Sequence, residues 1–299
     1  MITVTTPANS TALTTLAAVK QMLKIEGTDE DLLLGSEIAA ASASVSAYCH
    51  RTFAREGLSE TVKGYGGPIL MLGRAPVARL GTILGNASDP ITDAILENAD
   101  AGLIYRKRNW DNTIQLGWAI TETPRPGSED PLYVVAYSAG YLLPGDDIEA
   151  DGGISVDATL KQFVLDPEFG SFPLTLVSGD RVYVQGFVDP RNNGWFTVFA
   201  VTAQTLTVQE ATLQNEVVGE GIRTMALATL PADVELATRE TVRDLRLSRR
   251  RDASVGSKTV GDLSITYRDP RALASGTGQY AGGLPMDAAM RLVPYVRAA

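Results

Sequence analysis

Cys49 and His50 are the only cysteine and the only histidine in the 299 residues. A lone cysteine excludes an intramolecular disulfide, so burial or assembly must supply the stability. One of each also excludes a Cys/His zinc site within a single chain. Neighbours on a helix point about a hundred degrees apart, so the two do not face each other as a thiolate–imidazole pair. His50 reads instead as a helix-end cap or interface residue. Long apolar runs are missing too: "IAAASASVSAY" is too short and too polar to span a membrane. The opening "MITVTTPANSTALTT" lacks the basic and apolar regions of a secretory signal, so the expectation is synthesis in the cytoplasm and no membrane partner.

Catalytic signatures are equally scarce. No phosphate-cradling GxxxxGK[ST] occurs, and "GTGQYAGG" lacks the strand-then-helix setting of a dinucleotide loop. "YSAGY" lacks the glycine bracket of a hydrolase elbow and has no histidine partner. "DPRNNGWF" and "PGDDIEADGG" offer oxygen ligands, but their spacing fits no calcium loop and reads as solvated acidic turns. The expectation is a protein that is not an enzyme and holds neither cofactor nor metal.

Basic charge is in deficit, 26 Lys and Arg against 35 Asp and Glu, for a net of −9. The deficit is local. Residues 145–228 hold 12 acids and 4 bases (−8), residues 1–144 hold 15 and 11 (−4), and residues 229–299 hold 8 and 11 (+3). Such asymmetry marks regions with different surroundings, and sets 145–228 apart as a module.

What is present reads as helix, then strand, then helix. "LTTLAAVKQMLKIEG" opens on threonine caps, puts Leu16, Val19 and Leu23 on one face, and stops at Gly27. In the next helix Thr28 and Asp31 approximate a capping box, and Leu34, Ile38, Ala41, Val45 and Tyr48 form a stripe. "ETVKGY", "PILML", "ARLGTIL", "GLIYRK", "TIQLGWAI" and "PLYVVAYSAGY" read as strands between turns. In 145–228, "LKQFVL", "FPLTLVSGDRVYVQGF" and "NNGWFTVFAVTAQTLTVQEA" alternate apolar and polar residues, predicting an antiparallel barrel or sandwich. Helix returns at "LPADVELATRETVRDLRLSRRRD", where Leu230, Val234, Thr238, Thr241, Val242 and Leu245 share a side. "LSITYRDP" is a further strand, "ASGTGQYAGG" a glycine-rich link, and "LPMDAAMRLVPYVRAA" a terminal helix ended by Pro294. The fold class expected is α+β: a helical bundle core, a small β-region, and the inserted β-module.

Residues 239–251 pack six arginines into thirteen positions. Arg239, Arg243, Arg246 and Arg250, spaced 4, 3 and 4, share one helix face. Three readings stay open on composition: a solvated face with Glu235–Arg239 as an i,i+4 pair, guanidinium forks meeting carboxylates of another subunit, or phosphate contact. An acidic chain with no aromatics among its arginines ranks DNA third.

The ordered set of segments resembles the head–tail connector (adaptor) proteins of long-tailed bacteriophages and of gene transfer agents. The resemblance lies in "LAAVKQMLKIEGTDEDLLLGSEIAAASASVSAYCHRTF", "ETVKGYGGPILMLGRAPVARL", "YVVAYSAGY", "LPADVELATRETVRDL", "SVGSKTVGDLSITYRD" and "LPMDAAMRLVPYVR". It covers 13–144 and 229–297 and departs at 145–228, which falls between AGY and LP. The domains expected are therefore 1–144 with 229–299, and 145–228 inserted between them. The resemblance implies a structural virion protein at the neck, forming a ring, usually of twelve, between portal and stopper or tail. DNA would pass through its channel without sequence-specific binding. It also implies that Arg239, Arg243, Arg246 and Arg250 face a neighbouring subunit, and that Tyr280, Leu284, Met290, Leu292 and Tyr295 dock on the portal. The alternatives are a tail-completion or stopper subunit, or a glycan- or capsid-binding module on 145–228 using Trp195 and Phe196. Alternation would turn one of those two aromatics into the module's core.

Overall fold

The computed structural model describes residues 1–85, 89–110, 132–219, 221–249, 257–260, 263–266, 280–281 and 284–297. The fold is mixed α+β and divides into two compact units. One comprises Met1–Asn9, Arg55–Tyr141 and Ile148–Ala226; the other comprises Ser10–Ala54, Leu142–Asp147 and Leu227–Ala299.

The first unit begins with β1 (Ile2–Thr6), β2 (Glu56–Lys63), β3 (Ile69–Met71), β4 (Val77–Leu84), β5 (Ala94–Asn98), β6 (Leu103–Arg106) and β7 (Leu132–Ala139). Four of these form an antiparallel sheet in the order β1-β2-β7-β4, and three form a second in the order β3-β6-β5. Alternation along β7 buries Tyr133, Val135, Tyr137 and Ala139 with Leu58, Leu70, Leu72, Val77, Ile83, Ile104 and Trp110. Trp110 meets Tyr133 edge-on at 4.9 Å and donates its indole N–H to the Pro68 carbonyl. The expected strand "TIQLGWAI" lies outside the described residues, while β1 and β5 were not anticipated.

Glu60 of β2 is buried and bonded to two neighbours. It accepts the Gly73 backbone N–H at 2.8 Å and the Tyr137 hydroxyl at 2.6 Å. Burial first, and then that bond to a carboxylate, push the Tyr137 hydroxyl far above its ordinary range. A Cβ at Gly73 would lie 2.6 Å from Glu60 Oε1 and 2.7 Å from Ile2 Cδ1. Gly73→Ala is therefore expected to destabilise by about 1–3 kcal/mol, the range for forcing extra atoms into a packed site, read as a shift in the denaturation midpoint. An unchanged midpoint would mean that the Glu60 carboxylate is free to move.

The remainder of this unit holds β8 (Ile148–Asp151), β9 (Ile154–Asp157), β10 (Gln162–Leu165), β11 (Arg181–Gln185), β12 (Gly194–Val201), β13 (Thr205–Val208) and β14 (Ile222–Ala226). They make a seven-stranded antiparallel sheet in the order β8-β14-β11-β12-β13-β10-β9. The strands at its two ends, β8 and β9, are joined by only Gly152 and Gly153. The ends of the order therefore lie within the short reach of two residues. Gly152 sits at φ +71, and a Cβ there would strike the Gly219 carbonyl at 2.2 Å, so the link requires glycine. Within the stretch "FPLTLVSGDRVYVQGF" only Arg181–Gln185 is strand. Arg55 ties this sheet to the first: it donates to Asp180 at 2.5 Å and to the Gly140 carbonyl, with its side chain 7% exposed.

The second unit contains α1 (Leu16–Leu23), α2 (Asp31–Tyr48), α3 (Ala232–Arg249) and α4 (Met286–Leu292). Two hairpins accompany them, β15 (Ser257–Val260) with β16 (Leu263–Thr266), and β17 (Tyr280–Ala281) with β18 (Leu284–Pro285). Thr15 caps α1 by accepting the Ala18 N–H. The helix ends at Lys24 in the left-handed region, not at Gly27, because the Ile25 N–H already closes on the Lys20 carbonyl. The Thr28–Asp31 capping box does not form. Asp31 N–H donates to the Thr28 carbonyl in a turn, and the Asp31 carboxylate goes to Lys20 at 2.7 Å. Val19, Leu34, Ile38, Ala41 and Val242 form the buried centre, with Leu16, Leu23 and Leu245 against it.

The segments flanking 148–226 are clipped together within this unit. Leu142 donates to Thr229 Oγ1 and its carbonyl accepts from Thr229 and Leu230. Asp147 Oδ1 accepts the Leu227 and Ala228 N–H groups at 2.6 and 2.8 Å. Burial raises the Asp147 carboxyl above its ordinary value despite those two donors.

Candidate interaction surfaces

The arginines of α3 are mostly spoken for within the chain. Arg239 meets Glu235 at 3.2 Å, one turn back. Arg246 pairs with Glu30, just before α2, and Arg249 reaches Glu37 of α2 at 3.1 Å. Glu37 is 1% exposed, and Arg249 is its charge partner among the described residues. An unpaired buried carboxylate would be costly, so this bridge fixes the end of α3 on α2. Arg243 is exposed and has no ion pair among the described residues; Arg250 lies outside them. Of the arginines at 4, 3, 4 spacing, Arg239 therefore pairs within α3 and Arg246 turns to an acid outside it, while Arg243 is left exposed.

The C-terminal set divides by burial. Leu284 and Leu292 are fully buried, beside Ala288 and Ala289, whereas Met290 is 66% exposed. Tyr295 is half-buried in the turn after α4, and Tyr280 belongs to β17 with its side chain outside the described residues. The helix repeat explains the split: 288, 289 and 292 share one face, and 290 falls opposite.

In β12 the strand repeat separates the neighbouring aromatics. Phe196 is buried against Phe163 at 5.2 Å, and Trp195 is 57% exposed. Trp195 lies across from Tyr183 at 5.2 Å, with the Arg181 guanidinium 4.9 Å over its ring. Sequence reasoning missed Tyr183 and Arg181, although the alternation of "RVYVQ" puts both on one face. Glu210 accepts the Thr197 N–H on the same strand. Desolvation is the largest single influence on Glu210, but the donors from Thr197 and the nearby Arg181 together hold it below its ordinary value.

Cys49 is buried, and burial pushes its thiol up to about 11, away from the thiolate form. His50 is exposed at φ 51. Among the described residues no group of three or more His, Cys, Asp or Glu could hold a metal ion, and no helix is long and apolar enough to cross a membrane.

Residues 13–68, which hold α1, α2 and β2, match one family model. The matching family is described as "Phage gp6-like head-tail connector protein". Solved structures with partial likeness include a chain of the neck of an empty gene transfer agent (GTA) particle. That chain has 19% identity and a TM-score of 0.35, over 49% of this chain and 76% of that one. The virion of a native GTA particle gives 21% identity, TM-score 0.32, and 49% and 77% coverage. The neck of a native GTA particle computed with C12 symmetry gives 18%, 0.33, and 49% and 75%. No curated protein matches the chain.

Proposed function

We propose that this chain is a structural subunit of a virion neck, a ring-forming adaptor between the portal and the stopper or tail. Genomic DNA passes through its channel, and no catalysis is involved. The observation that carries this reading is the match of residues 13–68 to the connector family. The paired arginines of α3 support it, because they stiffen a helical body rather than offer a free basic face to DNA. In this reading Arg243 and Met290 remain available to neighbours, while Leu284 and Leu292 support the C-terminal helix from within. The helices around Val19, Leu34 and Val242 act as the bundle core of the connector domain, 1–144 with 229–299.

In the same reading, residues 145–228 are an inserted module, its seven strands rolled toward a barrel. The clip at Leu142, Asp147, Leu227 and Thr229 supports this, since an insertion must leave and rejoin its host at one place. A second reading for this module, attachment to a glycan or to the capsid exterior, is favoured by one observation: Trp195 and Tyr183 stand exposed with Arg181 beside them. Two measurements test both. Native mass spectrometry with purified portal is expected to show a complex holding many copies; a monomer indifferent to portal defeats the adaptor reading. Replacing 148–226 by a short Gly/Ser link between Asp147 and Leu227 is expected to leave a folded, portal-binding chain. Particles that assemble but fail to adsorb would assign the module to attachment. Failure of assembly would make it architectural.

A further inference from the structure

The three-stranded sheet β3-β6-β5 carries apolar side chains on both faces, with exposed Glu97 and Asn98 only at the end of β5. Leu70 and Ile104 turn into the core with Leu96 packed against it, as one face of a sheet should. On the other face stand Ile69 and Met71 of β3, Leu103 and Tyr105 of β6, and Ile95 of β5. Ile69 and Ile95 both pair with Tyr105, and Met71 pairs with Leu103. Met71 is 64% and Ile95 59% exposed. An antiparallel sheet with one solvated face ordinarily alternates to polar side chains there. Contiguous exposed apolar surface of this kind marks a contact with another molecule. Just past this face, after β6, come exposed Lys107 and Arg108, neither with an ion pair among the described residues.

The outer side of α2 is anomalous in a matching way. Its exposed positions begin at Leu32, 93% exposed, and Leu33, and continue through Ser36, Ala39, Ala40 and Ala43 without a single charge. A solvated helix face is ordinarily charged. Immediately before it stand exposed Glu26 and Asp29, likewise without ion pairs among the described residues.

We infer that the apolar β3-β6-β5 face of one copy receives the Leu32–Ala43 face of α2 from a second copy, with Lys107 and Arg108 meeting Glu26 and Asp29. The two faces differ, so the contact is heterologous and repeats from copy to copy. The charges set the direction in which the helix lies on the sheet. This inference rests on the reading above that copies of the chain meet one another.

The test uses the full chain carrying both M71C and A39C, oxidised at high concentration; buried Cys49 stays out of the exchange. The expected result is a ladder of covalent multimers from the double variant, with peptide mapping placing the bond between positions 71 and 39. Each single variant should give no ladder. In native mass spectrometry K107E/R108E should reduce the multi-copy fraction roughly tenfold, a 1.4 kcal/mol effect, and E26K/D29K in the same chain should restore it. Multi-copy species without the ladder, or a dimer from M71C alone, overturn this interface while leaving the ring reading intact. A chain that stays monomeric through oxidation overturns the interface. If it is also present as one copy in purified particles, the ring reading falls with it.

Discussion

Phe163→Ala is expected to destabilise the seven-stranded sheet by about 3–5 kcal/mol. Phe163 is wholly buried in β10, with Phe196 of β12 at 5.2 Å edge-on and Phe187 at 5.7 Å. Three rings meet there, Phe163 and Phe196 held by strand pairing and Phe187 by the Asn193 side chain bonded to its backbone. Collapse into the vacated space would have to displace β12 or the turn at Gly186, so most of the cavity persists. Phe199→Ala, on the exposed side of β12, is the control and should change little. Trp195 fluorescence during denaturation reports the transition locally. A loss below about 1 kcal/mol would show that the three-ring cluster does not hold the sheet together.

Arg223→Met is expected to cost a similar amount, about 3–5 kcal/mol, the range for breaking one side of a buried ion pair. Arg223 is 2% exposed. It donates to the Val217 carbonyl at 3.1 Å, to the Ile154 carbonyl and to Glu216 at 2.9 Å, and its guanidinium lies 4.6 Å from the Phe187 ring centroid. Glu216 in turn accepts from the Val188 and Asp189 N–H groups and from Asn192 Nδ2, closing the loops at 187–193 and 213–217 onto each other. Methionine fills the space of the stem but leaves the carboxylate facing a buried void. Adding Glu216→Gln removes that charge while keeping one acceptor oxygen for the surrounding donors, so the double variant should recover part of the loss.

The same carboxylate makes the loops acid-sensitive. Desolvation pushes Glu216 up, but the Val188, Asp189 and Asn192 donors with Arg223 outweigh it, and the group is held below its ordinary value. A depressed acid binds fewer protons folded than unfolded. Its contribution is thus full above the ordinary glutamate range and lost as pH falls through the folded value. Amide exchange at Val188 and Asp189 should accelerate over that window in the wild type and stay flat in Glu216→Gln.

Local pattern carried some parts of this structure and not others. The stripe Val234, Thr238, Thr241, Val242 was readable because a helix repeats within a few residues, and the opposed fates of Trp195 and Phe196 followed from the strand repeat. β1 and β14 were not readable. "ITVTT" and "IRTMA" are short, and β1 finds its partner β2 some fifty residues away while β14 finds β8 some seventy away. The arginine face was visible in its spacing. Its meaning was hidden, because Glu30 and Glu37 lie about two hundred residues earlier and no local rule connects them. Met290 and Leu292 look alike as sequence, and only the packing of α4 separates them.

The clip that joins Asp147 to Leu227 has a mechanical consequence. β8 leaves the junction and β14 returns to it as antiparallel neighbours, beginning at the Ile148–Met225 pair. Tension drawn on the far end of the seven-stranded sheet reaches the junction along two backbones at once. Each carries a share of the load, and the ladder between them is neither sheared nor opened. Only a force that parts the two strands at the junction itself would unzip them, and there the Asp147 carboxylate and Thr229 hydroxyl bear it first.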